Sequence, residues 1–149
     1  METNMEKITR QQFLDRLQNN WQDYAGRFHR LAPEDQKAFL VKQGYANLAG
    51  LLGHIVAWWQ SGVEVVQKMR RDPAFTNPDY DVDSFNARAV ARFGGLDEAE
   101  VVRTYEAQRQ TMVALVAGLT TDELDSERIN TRLYYEIIMH WEEHTLPGE

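Results

Sequence analysis

The chain has 149 residues, a formal net charge of −7 and no cysteine. That length suits one domain, expected over residues 1–149, and the missing cysteine excludes disulfides and thiolate chemistry by the protein itself. An acidic balance without a Lys/Arg run argues against nucleic acid or an anionic membrane as partner, and a hydrophobic fraction of 43% with 11% aromatic residues excludes a disordered chain.

Met1 to Arg10 is polar and charged and does not read as a secretory leader. Thr9 followed by Gln12 is a capping box. Phe13, Leu14, Leu17, Trp21, Tyr24 and Phe28 then recur at helical spacing, which predicts one helix to about Leu31. Pro33 opens a short segment to Phe39, which Gly44 breaks. Asn47 caps the next long helix, whose stripe is Leu48, Leu51, Leu52, Ile55, Trp58, Trp59, Val63, Val66 and Met69. Its apolar stretch from Ala46 to Trp59 is too short to span a bilayer, so a soluble protein is expected, and a chain without cysteine suits the cytoplasm, which needs no disulfides. Lys68, Arg70 and Arg71 favour the negative end of the helix dipole, and Pro73 closes the helix.

Residues 76–82 carry Pro78 and polar turn formers and read as a loop. Asp83 is placed as the cap of a short helix to Phe93, ended by Gly94 and Gly95. Asp97 with Glu100 reads as a second capping box, before a third long helix to about Ala117 with Val102, Tyr105, Arg109, Met112, Val116 and Leu119 on one face. A single turn follows at 121–124, and a last helix covers roughly Asn130 to Thr145, where Pro147 fixes its end. Four long amphipathic helices and no alternating strand pattern predict an all-α antiparallel four-helix bundle, with short helical turns and one long crossover segment over 76–95. Neighbouring helices are expected to be mostly antiparallel.

His140 and His144 are four residues apart, so both imidazoles leave the last helix on one side. With Leu133 and Ile137 they continue the stripe that faces the bundle interior. Buried imidazoles need partners for their nitrogens, and protonating them there costs desolvation. His54 sits mid-way along the apolar second helix, with Gly53 beside it leaving room for close approach and Trp58 one turn on. It is a candidate third ligand. Three imidazoles and an open position make a catalytic rather than a structural metal site. The plainer alternative is that the histidines only pack. His29, between Arg27 and Arg30, reads as solvated, as do Glu142 and Glu143. Trp58, Trp59 and Trp141 fit core or groove packing.

The segments LAGLLGHIVAWW around His54 and HWEEH from His140 to His144 resemble the DinB/YfiT-like superfamily of four-helix bundles over nearly the whole chain. VDSFNARAV and YYEIIMHWEEH look most like its ClbS/DfsB branch. The resemblance implies a divalent ion, nickel or zinc being common, on His54, His140 and His144. Trp58 and Trp59 stand where relatives carry an acidic residue. The resemblance also implies thiol-dependent transferase, isomerase or protective chemistry.

The expectation is therefore a metal-dependent hydrolase or transferase in detoxification or stress response, acting on a small-molecule substrate. Trp58, Tyr135 and Trp141 would border an apolar pocket, and Tyr80, Asn86 and Arg88 on the crossover would close it. A metal-free ClbS-type protective hydrolase or binder and a non-catalytic interaction module remain alternatives. The apolar load further suggests a homodimer with a symmetric interface.

Overall fold

The computed structural model describes residues 7–149. Most of the Met1–Arg10 stretch lies outside those residues. Helices α1 (Arg10–Asp15), α2 (Tyr24–His29), α3 (Pro33–Gln43) and α4 (Leu48–Arg71) are followed by α5 (Val82–Phe93) and α6 (Glu98–Gly118). The short helices α7 (Thr121–Asp125) and α8 (Glu127–Leu133) then lead to α9 (His140–His144). Two π-helical turns interrupt the series, π1 at Arg16–Asn20 and π2 at Tyr134–Met139. No strand occurs among the described residues.

The capping box at Thr9 and Gln12 starts α1, and Asn47 accepts the Gly50 N–H to start α4. Gly44 ends α3 at φ +85°, a backbone conformation that side chains with a Cβ rarely take. Three boundaries differ from the sequence reading. Asp81, not Asp83, caps α5 by accepting from Ser84. Asp97 makes no side-chain cap, and the second capping box is Thr120 with Glu123, on α7. The last helical segment starts at Glu127, since the chain bends only at Ser126.

The first predicted helix is not continuous. It widens in π1 and breaks at Asp23, which lies in the left-handed region at φ 52°. The last helix is widened in the same way at π2. Widened turns leave carbonyls without their usual helical partner. Buried side chains supply donors to these segments. Arg109 donates to the Leu17 carbonyl at 2.9 Å and Tyr105 to that of Trp21. Trp21 donates its indole N–H to the Ile137 carbonyl and Trp59 to that of Glu136, each at 2.9 Å. Two apolar positions on the predicted stripes, Trp21 and Trp59, thus also stitch the bundle together by hydrogen bonds across its core.

The crossover decides the topology. Helix α5 runs back along α4: Asn47 donates to the Gly94 carbonyl, and Phe93 lies against Gly53. The chain therefore enters α6 near the start of α4, and the two run in the same direction until Arg70 meets Glu123. The first segment is antiparallel to α6, from Arg10 on Val116 to His29 on Glu98. The α8–π2–α9 segment is antiparallel to α4, from Arg128 on Met69 to Gln43 on Glu143. The helical bundle and its long crossover are as the sequence implies, and the crossover leaves two parallel pairs of neighbours, α4 with α6 and the first segment with the last, which meet from Ile8 on Asn130 to Tyr24 on His144. A continuous core joins Phe13, Leu17, Trp21, Leu52, Ile55, Met112, Leu133 and Ile137, all buried.

Candidate metal centre and its cavity

His54 is carried on α4, and His140 and His144 on α9. All three are buried. Their Nε2 atoms converge: His54 is 3.2 Å from His144 and 3.2 Å from His140. All three offer a ligand atom within 4.8 Å of one another.

The outer hydrogen bonds fix where the protons lie. Trp58 Nε1–H donates to Asn86 Oδ1 at 2.8 Å. An indole N–H can only donate, so the amide oxygen faces inward. The same oxygen lies 3.0 Å from His54 Nδ1, which must therefore donate to it. Gln43 behaves likewise. Its Nε2 donates to the Glu143 carbonyl, so its Oε1, 2.6 Å from His144 Nδ1, accepts from that ring. Both rings hold their proton on Nδ1, and both turn an Nε2 lone pair toward the centre. Among the described residues His140 Nδ1 has no partner within hydrogen-bond geometry, and it stands 3.9 Å from Glu136 Oε1.

Burial keeps these rings neutral. It lowers His54 to about 4, partly offset by the Asn86 bond, and lowers His144 to about 3 with a further push from His54. His140 is held well below its ordinary value by burial and by its two histidine neighbours. Lone pairs gathered at one point repel unless a cation lies among them. Three neutral imidazoles with oxygen acceptors behind two of them are a donor set that can hold a metal ion.

A cavity of about 420 Å³ opens beside the cluster. His54 and His140 form part of its wall, and His144 does not. Trp58, Tyr80, Tyr135, Val82 and Met139 give it apolar sides. Trp58 lies 4.0 Å from Phe85 and 4.9 Å from Tyr80, ring centre to ring centre.

One further wall is polar and was missed in the sequence. Arg132 and Glu136 are both buried and form an ion pair at 2.9 Å. Arg132 also donates to Tyr80 Oη at 2.9 Å and to Asn77 Oδ1 at 3.1 Å, which ties the 72–81 loop to the cavity rim. Burial pushes the Glu136 carboxyl up to about 7, against the pull of Arg132. Gly62 faces this carboxylate. A Cβ there would lie 2.9 Å from Glu136 Cγ, so glycine leaves the space that the acid fills. The signal was available: Arg132, Glu136, His140 and His144 follow one another at four-residue steps. Gln43 carried no comparable signal, because it comes from a separate short helix.

Of the residues expected to border the pocket, Trp58, Tyr80, Asn86 and Tyr135 line it. Trp141 does not. It is one residue on from His140, so it leaves the helix about 100° round and packs on Trp21 at 5.2 Å and under Arg27. Arg88 is two residues from Asn86 and points away, over Phe85 and into a separate surface groove with Gln60 and Glu64. The space beside Gly53 admits Phe93 of α5 rather than a ligand. His29 is not simply solvated, since it pairs with Glu98 at 2.7 Å.

A family model described as the DinB superfamily matches residues 16–146. No curated protein and no solved structure matches the chain.

Proposed function

The chain belongs to the DinB superfamily, and from that premise and its histidine cluster we propose a metal-dependent enzyme acting on an apolar small molecule. His54, His140 and His144 would hold one divalent ion, nickel or zinc. The observation that carries the reading is the shared direction of lone pairs, with the His54 and His144 protons committed outward to Asn86 and Gln43. Such an ion supplies Lewis acidity, which acidifies a water or a thiol at neutral pH. That chemistry serves a hydrolase or a thiol-dependent transferase.

The chain's own residues supply the rest. Trp58, Tyr80, Tyr135 and Met139 offer an apolar surface for the substrate body and keep water from it. Substrate reaches the cluster past His54 and His140, the two ligands on the cavity wall. Arg132 holds Glu136 and Tyr80 in place and keeps the rim closed on that side. A role in detoxification or stress response, in the manner of the ClbS/DfsB branch, is supported by the resemblance of VDSFNARAV and YYEIIMHWEEH. A homodimer accompanies this reading, and a monomeric mass in light scattering at micromolar concentration overturns that part.

The deciding experiment is metal analysis of protein purified without a histidine tag. One divalent ion per chain, lost in His140→Ala and kept in His29→Ala, supports the reading. Metal-free protein that takes up neither nickel nor zinc overturns it.

One observation favours a second reading, in which the cavity works without metal. The Glu136 carboxyl, raised to about 7, stands on the cavity wall beside His140, and such a group both gives and takes protons near neutral pH. Turnover of an electrophilic substrate that survives full chelation, and falls in Glu136→Gln, would select it.

A further inference from the structure

We propose that Asn86 is a positioning residue that aims the metal ligand His54 and couples it to the aromatic wall of the cavity. The inference rests on the metal-binding reading above. Asn86 belongs to the crossover helix α5, outside the two segments, α4 and α9, that carry the histidines. Its one carbonyl oxygen accepts two protons, from His54 Nδ1 at 3.0 Å and from Trp58 Nε1 at 2.8 Å.

The two bonds do different work. The bond from Trp58 orients the amide, because the reversed amide would set N–H against N–H. The bond from His54 then fixes that ring's tautomer, because an oxygen acceptor leaves Nδ1 no role but donor. The other tautomer would place an N–H on Nε2, among the nitrogens of His140 and His144, where a cation needs a lone pair. Gln43 performs the second task for His144, but its own orientation is set by a backbone carbonyl of the same segment. Asn86 differs in that a cavity-lining side chain orients it.

A coupling follows from that difference. Trp58 packs against Tyr80 and Phe85 and lines the cavity. A cavity occupant that shifts the indole shifts Asn86, and with it His54. Linkage makes the effect reciprocal: metal on His54 also holds Trp58 in its place on the wall.

The test measures Zn²⁺ affinity of chelator-stripped protein by competition with a chromophoric chelator. Circular dichroism melting of each metal-free variant, as its own control, shows that it is folded. Asn86→Ala should bind zinc on the order of 10- to 100-fold more weakly than wild type, the usual effect of losing a partner of a ligating imidazole. Asn86→Asp keeps the acceptor and adds charge, so it should bind at least as tightly as wild type. Trp58→Phe keeps a ring but loses the N–H that orients the amide, and should weaken binding by less than Asn86→Ala. Asn86→Ala binding as tightly as wild type overturns the proposal, as does Asn86→Asp binding as weakly as Asn86→Ala. Trp58→Phe with unchanged affinity overturns the coupling, and decides alone if Asn86→Ala does not fold. Wild-type protein that binds no zinc is a different result, which removes the metal reading itself.

Discussion

His54 and His144 face each other Nε2 to Nε2 at 3.2 Å, each with its proton committed to Nδ1 on the far side. The arrangement is unfavourable for the bare protein and favourable around a cation. The bundle nonetheless holds it firmly, because the rings sit on two different segments, each fixed by core packing. Stability that the metal-free chain gives up at the cluster should return on loading.

Nickel or zinc added to chelator-stripped protein should therefore raise its melting temperature. Saturation 100-fold above the dissociation constant adds about 2.7 kcal/mol, and for a chain of this length that is on the order of 8 °C. His140→Ala should lose the shift, and His29→Ala, whose ring pairs with Glu98 away from the cluster, should keep it. A thermal shift that His140→Ala retains would place the ion elsewhere.

Metal-free protein should lose stability as the pH falls from 7 to 5. His54, His140 and His144 have folded values far below that of a free imidazole, near 6.5. Below that pH the unfolded chain takes up three protons that the folded chain refuses. Glu136 acts in the opposite sense, since its folded value is raised and the folded chain binds a proton there first. The unfolded state still gains more protons, so the sign is destabilising in acid. His54→Leu removes one of these protons and should flatten the slope of melting temperature against pH. An equal slope in His54→Leu would mean that the ring titrates normally when folded.

Much of this was legible in the sequence. Helical periodicity gave the bundle, the Thr9 and Asn47 caps and the crossover. The one-turn spacing of His140 and His144 gave their shared face. What the sequence hid has physical causes. The π-turns at Arg16–Asn20 and Tyr134–Met139 depend on donors from Arg109, Trp21 and Trp59 elsewhere in the chain, so no local pattern announces them. Trp141 fitted both core packing and the pocket border by sequence, and it packs on Trp21 because adjacent helical residues diverge by about 100° and only His140 faces the cavity. Glu136 stands one turn before His140, but its burial depends on the Arg132 guanidinium and on the space left by Gly62 of α4, and that second contact has no local sequence pattern.

The Arg132–Glu136 pair should be costly to break from one side only. Arg132→Met leaves the Glu136 carboxyl buried without its cation, and should cost about 3–5 kcal/mol in urea unfolding. The double change Arg132→Met with Glu136→Gln removes both charges and should recover a large part of that loss. A double variant as unstable as the single one would show that Arg132 matters through Tyr80 and Asn77 instead.

Gly53 sets how closely the crossover helix lies on α4, and thereby where Asn86 stands. A Cβ built on Gly53 would lie 2.2 Å from the Cβ of Phe93. Neither atom is the free end of a flexible side chain, so relief requires α5 to move out by more than ~1 Å to reach a normal carbon–carbon separation. Gly53→Ala should cost about 1–3 kcal/mol, as overpacking of a close contact does. It should also weaken zinc binding, since Asn86 rides on the displaced helix and loses its grip on His54 Nδ1. Gly118 provides the contrast. It ends α6 with open space where a Cβ would go, so Gly118→Ala should leave metal binding unchanged and stabilise the fold by up to ~1 kcal/mol through helix propensity. Equal melting temperatures and equal zinc affinities for Gly53→Ala and wild type would show that α5 does not depend on this contact. The place of Asn86 against the cluster would then not depend on the close approach at Gly53.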